Sequence, residues 1–557
     1  MSDFTPRLPD RPSLAQLRKR AKELLQAFRN GDTSAIGRVR KYKPNVSDPI
    51  LADAQLIVAR EHGFESWPKL VHYIQAVHSV PLGLSSTPPF YRINWSNNSI
   101  EPRQPMSKGD WDHFCAMIKD LGLTSINSAN LMGDEDLEII SQLDQITSLN
   151  LDSSKRLTEK GLRHLARMPQ LRELVLGGQI TDRSLEVLRH LRDLRVFRMF
   201  WQANITDRGI ANLRFCDQLE EVDLLGCNTG DGAIAALAGK PNLRRFKTGR
   251  NVTDDGLALL HQFPAFKTWQ GEEPKFGLMS FSAEPTNLLI DGPFTQQGLN
   301  KLRGLDGIVG LSVFWHTTRL RGDDLQCLDG LSNLVYLGCQ GQLCDDNAMR
   351  HIGALPKLRM LMGQGTVATD DGFRNFSRSQ TIEYIWGREC PNLHGPGFVA
   401  MSRMPALKGM AVSCKFVDDA ALASLPGFPS LRELLPMDVG DAGFRHIGRC
   451  EQLESLILMY CRDTTDVATN HLVGMPNLRK YHAGYTLITD ASLEMLSRIR
   501  SLEEISFEGC KFITDAGIPF LTTLPHLREI SIGGCPKVTR SGVTGFLNGV
   551  RVNYDPR

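Results

Sequence analysis

The chain has 557 residues, of which 41% are hydrophobic, and a formal net charge of +2, so it can build a continuous core but carries no strong field towards nucleic acid or a membrane surface. No apolar run reaches the roughly 18 residues that a membrane-spanning helix needs. The first residues, Met1 to Arg7, lack the basic-then-apolar layout of a signal peptide. The sequence therefore predicts a cytoplasmic protein.

Residues 1–80 are predicted to form a small all-α region, because apolar residues recur there at helical spacing. The expected helices run from Leu14 to Phe28, from Ala35 to Tyr42, from Leu51 to His62 and from Ser66 to Val77. Gly31 and Asp32 end the first helix, and Ser66 with Pro68 begins the last. Residues 81–106 are expected to be a linker, rich in Ser and Pro at its start, followed by the beginning of a first capping unit.

From residue 107 to residue 557 one phrase recurs, close to Ile-Thr-Asp-x-Gly-Leu-x-x-Leu. Clear copies begin at Ile180, Ile205, Val252, Ile488 and Ile513. Their spacing of roughly 22 to 27 residues is typical of a repeat built from one supersecondary unit. About seventeen units are expected when the irregular ones are counted.

The unit from 180 to 199 shows how one copy is built. Thr181 or Asp182 can cap a helix by accepting free N–H groups of its first turn. Leu185 and Leu188 then share one helical face, and Phe197 alternates with polar neighbours at the period of a strand. One strand and one helix cannot close a core alone, so neighbouring units must stack into a solenoid.

One interval breaks the rhythm. Asp254 and Thr295 open successive units, yet the stretch between them is nearly twice as long as usual and holds Gly, Pro and Glu instead of a helical pattern. We interpret residues 270–293 as an irregular unit that has lost its helix or carries a loop. A neutral defect is favoured over a functional insertion.

The repeat resembles the cysteine-containing subtype of leucine-rich repeat, best known from F-box proteins. The residues that carry the resemblance are the Thr-Asp openings, the Pro-containing joints and the cysteines after the strands, and they cover most of the chain beyond about residue 130. The resemblance implies an α/β leucine-rich repeat solenoid, a horseshoe with parallel strands on its concave face and helices on its convex face. No F-box string precedes the repeats, so recruitment of a ubiquitin ligase is not carried over.

The amino-terminal segment resembles the short helical region that precedes ankyrin repeats in many bacterial proteins. The matching strings include Leu14-x-x-Leu17-Arg-Lys, Gly31-Asp32 and Ser66-Trp67-Pro68-Lys69-Leu70. This resemblance implies a bacterial origin and an intracellular scaffold, and it implies no activity. Leucine-rich units follow here in place of ankyrin units.

The cysteines and the motif content of the sequence give no sign of an enzyme. Cys227, Cys461, Cys510 and Cys535 each stand three residues after the last apolar strand position, which predicts a ladder of buried thiols against backbone carbonyls. No Cys-x-x-Cys, phosphate loop, His-Glu-x-x-His or Gly-x-Ser-x-Gly string occurs. No catalytic residue, cofactor or metal is predicted. Adjacent acids such as Asp254-Asp255 could bind a cation, but helix capping and solvation are the favoured explanation.

The expected function is a non-enzymatic protein–protein interaction scaffold that binds an unknown protein partner on the concave face, whose strands are expected to be free for contact. Aromatic, Met and Arg side chains on or just after the strands are the candidates, because such residues dominate protein-binding hot spots. They are Arg198, Phe200, Trp201, Lys247, Phe314, Trp315, Trp386, Arg388, Met437, Met459, Tyr460 and Tyr485. Alternatively, some of these rings fold against neighbouring units.

Two alternative functions stay open. The first is a substrate-recognition adaptor in a ubiquitin-ligase-like or host-directed pathway, which rests only on analogy with F-box repeat proteins. The second, less favoured, is a nucleic-acid binder that uses the basic amino-terminal helices.

Overall fold

The computed structural model of the chain describes residues 14–43, 46, 48–62, 66–67, 70–71, 74, 90–279, 286–546 and 549–555. The chain divides into two compact units, Met1–Asn228 and Thr229–Arg557. The division predicted at residues 80 and 106 stays a prediction.

The first unit begins with helices α1 (Leu14–Arg29), α2 (Thr33–Tyr42) and α3 (Leu51–Glu61). The apolar sides of these helices are buried against each other in one cluster. Asp32 accepts the Ala35 N–H at 2.7 Å and so caps α2. These helices confirm the predicted ones with ends shifted by one or two residues. The fourth predicted helix, 66–77, lies largely outside the described residues, as does the linker at 81–89.

A β-sheet follows in the same unit. Its strands are β1 (Tyr91–Asn94), β2 (Ser99–Pro102), β3 (Ser125–Asn127), β4 (Ser148–Leu151), β5 (Glu173–Leu176), β6 (Val196–Met199) and β7 (Glu221–Asp223). β1 pairs antiparallel with β2, a hairpin that the sequence did not predict, and from β2 onwards each strand pairs parallel with the next. The hairpin therefore begins a sheet that is otherwise parallel.

Helical segments connect these strands. They are Lys108–Leu121, Asp134–Ile140, Glu159–Leu162 and Asp207–Ile210, which are α-helical, and Arg163–Arg167, Asp182–His190 and Ala211–Phe215, which are 3₁₀-helical. The helix predicted after Thr181 is present, but in the tighter 3₁₀ form.

The described strands of the second unit are all parallel to their neighbours. They are β8 (Arg245–Lys247), β9 (Leu288–Ile290), β10 (Gly310–Val313), β11 (Tyr336–Cys339), β12 (Met360–Met362), β13 (Tyr384–Trp386), β14 (Gly409–Ser413), β15 (Glu433–Met437), β16 (Ser455–Leu458), β17 (Lys480–Gly484), β18 (Glu504–Glu508), β19 (Glu529–Gly533) and β20 (Arg551–Asp555). Consecutive strands are neighbours throughout.

The connecting helices of the second unit are short. The α-helices are Asp231–Leu237, Asp254–Leu259, Pro264–Lys267, Gln296–Asn300, Asp346–Gly353, Asp370–Phe376, Gly395–Met401, Asp419–Leu422, Phe444–Ile447, Asp466–Leu472, Asp490–Leu496 and Ile518–Leu521. The 3₁₀-helices are Leu260–Gln262, Gly322–Gly330, Gly341–Leu343, Leu425–Gly427 and Asp441–Gly443.

The core lies between the strands and the helices. One register row of the second unit illustrates it: Leu434, Leu456, Tyr481, Ile505 and Ile530 are paired from strand to strand, and all are buried. The residues of this row are buried against those of the neighbouring repeats, which is the packing of a solenoid. The predicted fold class, an α/β leucine-rich repeat solenoid with a small all-α amino-terminal region, is confirmed.

The Thr-Asp phrase joins each repeat to the next. In the helix Asp254–Leu259, Thr253 is the cap, since its Oγ1 accepts the Asp255 N–H at 3.3 Å. The aspartate of the preceding repeat, Asp231, accepts the Thr253 N–H at 2.8 Å and the Thr253 hydroxyl at 2.5 Å. Thus the threonine caps its own helix, whereas the aspartate, expected only to cap, ties two repeats together.

The same pair of hydrogen bonds recurs in both units. In the first unit it joins Asp134 to Thr158 and Asp182 to Thr206; in the second it also joins Asp254 to Thr295, Asp346 to Thr369, Asp441 to Thr465, Asp466 to Thr489, Asp490 to Thr514 and Asp515 to Thr539.

The predicted thiol ladder is also present. Cys227 donates to the Met199 carbonyl at 3.3 Å, Cys461 to the Pro436 carbonyl at 3.3 Å and Cys510 to the Ala483 carbonyl at 3.0 Å. Each sulfur is buried and turned towards the preceding strand. Within the described ranges, none of the helices combines the length and the apolar character needed to span a bilayer.

Candidate functional site

A segment without helix or strand crosses the sheet of the second unit. Residues 269–279, which we call the strap, follow the helical turn Pro264–Lys267 and contain no regular structure. Residues 269–279 thus lack a helix, and the irregular unit at 270–293 stays a prediction. The strap lies on the side of the sheet that faces away from the helices, which we call the inner face. The expectation that the inner face is free for contact is wrong at the strands that the strap crosses.

Leu278 of the strap sits in a socket on three adjacent strands. Tyr384, Gly409 and Glu433 occupy one register row on β13, β14 and β15. The Leu278 N–H donates to Glu433 Oε2 at 2.9 Å, and the Tyr384 hydroxyl donates to Glu433 Oε1 at 3.2 Å. Burial raises the pKa of Tyr384, with the Glu433 carboxylate as a further cause, so the hydroxyl keeps its proton and donates.

Gly409 makes the socket deep enough for Leu278. A Cβ atom at Gly409 would lie 2.4 Å from Tyr384 Cδ1 and 2.9 Å from Leu278 Cγ, both closer than real contacts allow. Because Gly409 has no side chain, the space beside β14 is open to the Leu278 side chain. Leu278 itself is buried.

Arg359, one residue before β12, holds the other end of the strap. Its Nη1 donates to Glu273 Oε1 at 2.8 Å and to the Pro274 carbonyl at 3.4 Å, and its guanidinium carbon lies 5.1 Å from the centre of the Phe276 ring. Arg359 also donates to both carboxylate oxygens of Glu383 at 3.2 Å. One side chain thus binds an acidic group, a backbone carbonyl and an aromatic ring of the strap.

Glu383 fixes Arg359 in place. Burial by itself would raise the pKa of the Glu383 carboxyl, but hydrogen bonds from Arg359 and Lys408 outweigh burial and hold that pKa below its ordinary value. Because the carboxylate stays charged, it anchors the Arg359 guanidinium that contacts the strap.

The strap and the inner face share one apolar cluster. Leu278 and the partly buried Phe276 pack with Tyr336, Met360, Met362, Tyr384, Trp386, Ala411, Leu435, Met437, Ile457 and Met459. Trp386 is only 7% exposed and Met437 only 1%. The expectation that these two side chains are exposed is wrong, because side chains of neighbouring strands and of the strap pack around them. Met459 is half-buried.

Other predicted candidates lie in the turns that follow the strands, and four of them have left-handed backbone. They are Trp201 (φ 53°), Arg388 (φ 39°), Tyr460 (φ 59°) and Tyr485 (φ 57°). Other repeats place glycine in comparable turns, with Gly226, Gly509 and Gly534 as examples. Left-handed backbone costs about 1–2 kcal/mol for a residue with a Cβ, and bulky residues rarely adopt it.

Two of these aromatic side chains lie over the glycine of the next repeat. In the first unit a Cβ at Gly226 would lie 2.3 Å from the Trp201 ring, and in the second unit a Cβ at Gly509 would lie 2.5 Å from the Tyr485 ring. The opposite sides of the rings face solvent, since Trp201 is 51% exposed and Tyr485 60%. The neighbouring glycine supports each ring without covering it.

Arg388 and Tyr460 form a pair across the turns of the second unit. The Arg388 guanidinium donates to the Tyr460 hydroxyl and lies 5.4 Å from the centre of its ring. Arg388 Nε is buried and has no acceptor among the described residues. Tyr460 is 40% exposed.

The remaining candidates differ in accessibility. Phe314 and Trp315 stack with their ring centres 4.6 Å apart, and the Trp315 indole donates to Gln340 at 2.9 Å while the side chain stays exposed. Phe200 and Lys247 are half-buried.

Arg198 is held by two carboxylates of neighbouring strands. It lies 2.7 Å from Glu173 and 2.7 Å from Glu221 and is half-buried between them. Both glutamates occupy the first position of their strands. The two ion pairs of Arg198 therefore connect neighbouring strands of the sheet and also lie at its surface.

The sequence missed Arg359, Gly409, Glu433 and the strap residues Phe276 and Leu278. Nothing in the repeat pattern distinguishes the first three from their counterparts in other repeats. The one available signal was Phe276 and Leu278 themselves, which with Trp269 and Met279 are the apolar residues of a stretch that otherwise consists of polar, Gly and Pro residues. Across the described part of the chain, no group of three or more His, Cys, Asp or Glu residues is placed to hold a metal ion.

Two solved structures show a remote likeness to this chain. No family model and no curated protein matches the chain. Among solved structures, the Rad7–Elc1 complex of yeast is 16% identical over 80% of this chain and 88% of that chain, with a TM-score of 0.34. An internalin from Listeria monocytogenes is 14% identical over 76% of this chain and 89% of that chain, with a TM-score of 0.26.

Likenesses this remote carry no argument, so the class rests on the chain's own geometry. Parallel strands that alternate with short helices at the repeat period define a leucine-rich repeat solenoid. The cysteine-containing subtype stays a prediction.

Proposed function

We propose that this chain is a non-enzymatic protein-interaction scaffold whose partner contacts the turns that follow the strands. In the second unit the contact surface consists of Phe314, Trp315, Arg388, Tyr460 and Tyr485. In the first unit it consists of Arg198, Phe200 and Trp201. Lys247, Trp386, Met437 and Met459 belong to the proposal as residues that border or underlie the inner face of the second unit.

The left-handed backbone of bulky, solvent-facing residues is the observation that supports this proposal. Trp201, Tyr460 and Tyr485 each combine positive φ with a side chain at least 40% exposed. Solvation and folding would both favour glycine there, as in other repeats. Backbone strain that the fold does not need is concentrated at functional sites, and half-exposed Trp and Tyr are the side chains that dominate protein interfaces.

Photo-crosslinking at defined positions tests the proposal. Trp315→benzoylphenylalanine and Tyr485→benzoylphenylalanine should each capture the same protein in the source cell. Phe520→benzoylphenylalanine is the control, because Phe520 is an aromatic residue that is 39% exposed on the helical side, within Ile518–Leu521. Capture from all three positions alike, or from none, would contradict a partner site at the turns.

The identity of the captured protein decides the finer part of the proposal. A ubiquitin-like or host protein would favour the adaptor function over a general scaffold. We place the protein in the cytoplasm on the sequence pattern and give it a bacterial origin on the resemblance of its amino-terminal segment, and the same capture tests that placement.

A nucleic-acid function is the second candidate, because α1 exposes Arg18, Lys19, Arg20 and Lys22 along one stretch. Binding of this kind falls steeply with added salt. A labelled oligonucleotide titrated at about 50 mM and 200 mM salt should show no salt-dependent binding if the scaffold function is correct. A loss of tenfold or more between these concentrations would favour the nucleic-acid function.

A further inference from the structure

The strap makes ligand-like contacts with the inner face of the second unit. Its backbone has no partner strand, and its recognition comes from side chains of the sheet: Glu433 accepts the Leu278 N–H, Arg359 donates to the Pro274 carbonyl, and the Gly409 socket takes the Leu278 side chain. An extended peptide bound on a receptor is held in the same way, by a few backbone hydrogen bonds and alternate side-chain pockets.

The contacts define three recognition points along the strap. The Glu273 carboxylate meets Arg359, the Phe276 ring meets the same guanidinium, and the Leu278 side chain enters the socket. Since Arg359 precedes β12 and Gly409 begins β14, these points run across neighbouring strands. Along the chain, the strap thus has an acidic residue, an aromatic residue three positions later and an aliphatic residue two positions after that.

The strap is held in a way that lets it be replaced. Glu273 is 78% exposed, so its ion pair with Arg359 is screened by solvent. The indole N–H of Trp269 is buried without an acceptor among the described residues. A cleft of about 540 Å³ lies beside the strap, lined by Trp269, Glu273, Asp306 and Asn333 among others. The strap therefore covers the inner face without filling it.

We propose that the inner face under the strap is a peptide-binding site, and that the strap occupies it as an internal copy of the ligand. The external ligand is an extended segment of a partner protein with a carboxylate, an aromatic residue three positions later and an aliphatic residue two positions after that. This proposal deepens the proposed function and rests on it, because it assigns to the scaffold a second contact that opens when the strap is displaced.

A peptide added in trans tests this site in the full chain. The probe is the segment 271–279, Gly-Glu-Glu-Pro-Lys-Phe-Gly-Leu-Met, with blocked ends and a fluorophore. The variant Phe276→Ser/Leu278→Ser removes the two apolar anchors of the strap and should bind the probe at least tenfold more tightly than the wild-type chain does. Probes with Glu273→Gln or Leu278→Ser should bind at least fivefold more weakly than the unchanged probe.

A second substitution on the sheet checks where the probe binds. Arg359→Gln, placed in the Phe276→Ser/Leu278→Ser chain, should weaken binding of the probe at least tenfold. Arg432→Gln is the matched control: Arg432 precedes β15 as Arg359 precedes β12, but it pairs with Glu454. The Arg432→Gln substitution should change the affinity for the probe by less than twofold.

Hydrogen exchange in the wild-type chain gives a measurement that needs no variant. The Leu278 amide should exchange at least tenfold more slowly than in the free probe peptide, because Glu433 accepts its hydrogen. Saturating probe should then speed exchange of this amide at least fivefold. Exchange as fast as in the free peptide would overturn the proposal.

Other outcomes also overturn the proposal. They are a correctly folded Phe276→Ser/Leu278→Ser chain that does not bind the probe, equal binding by this chain and the wild type, and a concentration-dependent dimer that holds the strap of a second copy. The probe-binding assay contains no partner protein. Failed crosslinking at Trp315 and Tyr485 would therefore contradict the proposed function and leave the probe-binding results unchanged. Failed probe binding would contradict only the proposed peptide-binding site.

Discussion

The contact between successive repeats makes a sharp prediction for Gly256→Ala. Gly256 lies in the helix Asp254–Leu259, where alanine normally stabilises. A Cβ at this position would, however, lie 2.0 Å from Asp231 Oδ1 and 2.7 Å from Asp231 Cγ. The carboxylate must therefore turn away, and both of its hydrogen bonds to Thr253 are lost.

The expected loss of stability is about 2 kcal/mol. Each hydrogen bond to a charged group contributes about 1.5–3 kcal/mol, and the half-buried position of Asp231 places these two at the lower end, about 3 kcal/mol together. Replacing glycine by alanine inside a helix raises the free energy of unfolding by about 1 kcal/mol. The hydrogen bonds are the larger contribution, so the substitution should destabilise.

A double-mutant cycle separates the clash from the helix propensity. In an Asp231→Ala chain the two closest contacts disappear and the next one, with Val252 Cγ1, is at 3.2 Å, so adding Gly256→Ala should be neutral or stabilise by up to about 1 kcal/mol. The measurement is the urea midpoint and slope of the four chains, with an expected coupling of about 2–3 kcal/mol. Equal effects of Gly256→Ala in both backgrounds would refute the link between the repeats.

Three further predictions concern other parts of the fold. Tyr485→Gly should change the free energy of unfolding by less than about 1 kcal/mol, because relief of left-handed backbone offsets the lost contacts; a loss above about 2 kcal/mol in thermal unfolding would show that the ring is structural. A hydrogen bond from His482 is the main cause that lowers the pKa of Glu504 to about 2 from 4.5. The charged form thus stabilises the fold above pH 4.5, and that stability is lost as pH falls towards 2. The full difference would be about 3 kcal/mol, but the Glu504 side chain is 36% exposed, so an acid titration of Glu504→Gln against wild type should show about 1 kcal/mol; identical acid curves would contradict it. Ser107→Ala should cost about 1 kcal/mol, because Ser107 and Asp110 cap each other's backbone at the start of Lys108–Leu121, and unchanged urea unfolding would refute this.

The sequence predicted those features that depend on contacts between adjacent repeats. The Thr-Asp pair recurs in every clear copy of the phrase, and Gly or Ser stands two residues after the aspartate, because these positions contact one another across neighbouring repeats, as Thr253 and Gly256 contact Asp231. The first helices were equally predictable, since their apolar spacing is local. Even so, the second role of the aspartate was missed, because a capping residue and a residue that bridges repeats have the same sequence pattern.

The candidate surface was predicted less well. Trp315 and Trp386 both follow or end a strand, and both were expected to face a partner, yet Trp315 is 62% exposed and Trp386 is 7% exposed. The difference comes from the apolar cluster of the strap, which includes Trp386. The left-handed backbone at Tyr485 was also invisible in the sequence, because a Tyr after a strand does not reveal its φ angle.

The sequence by itself determined the repeat, its strand and helix, and the row of residues that each strand adds to the core. Neighbours in a solenoid are one period apart along the chain, so a periodic pattern is enough to place them. Only the tertiary structure decided where residues 269–279 lie. The hydrogen bond from Leu278 to Glu433 joins residues 155 positions apart, and no period of the sequence predicts a contact at that separation.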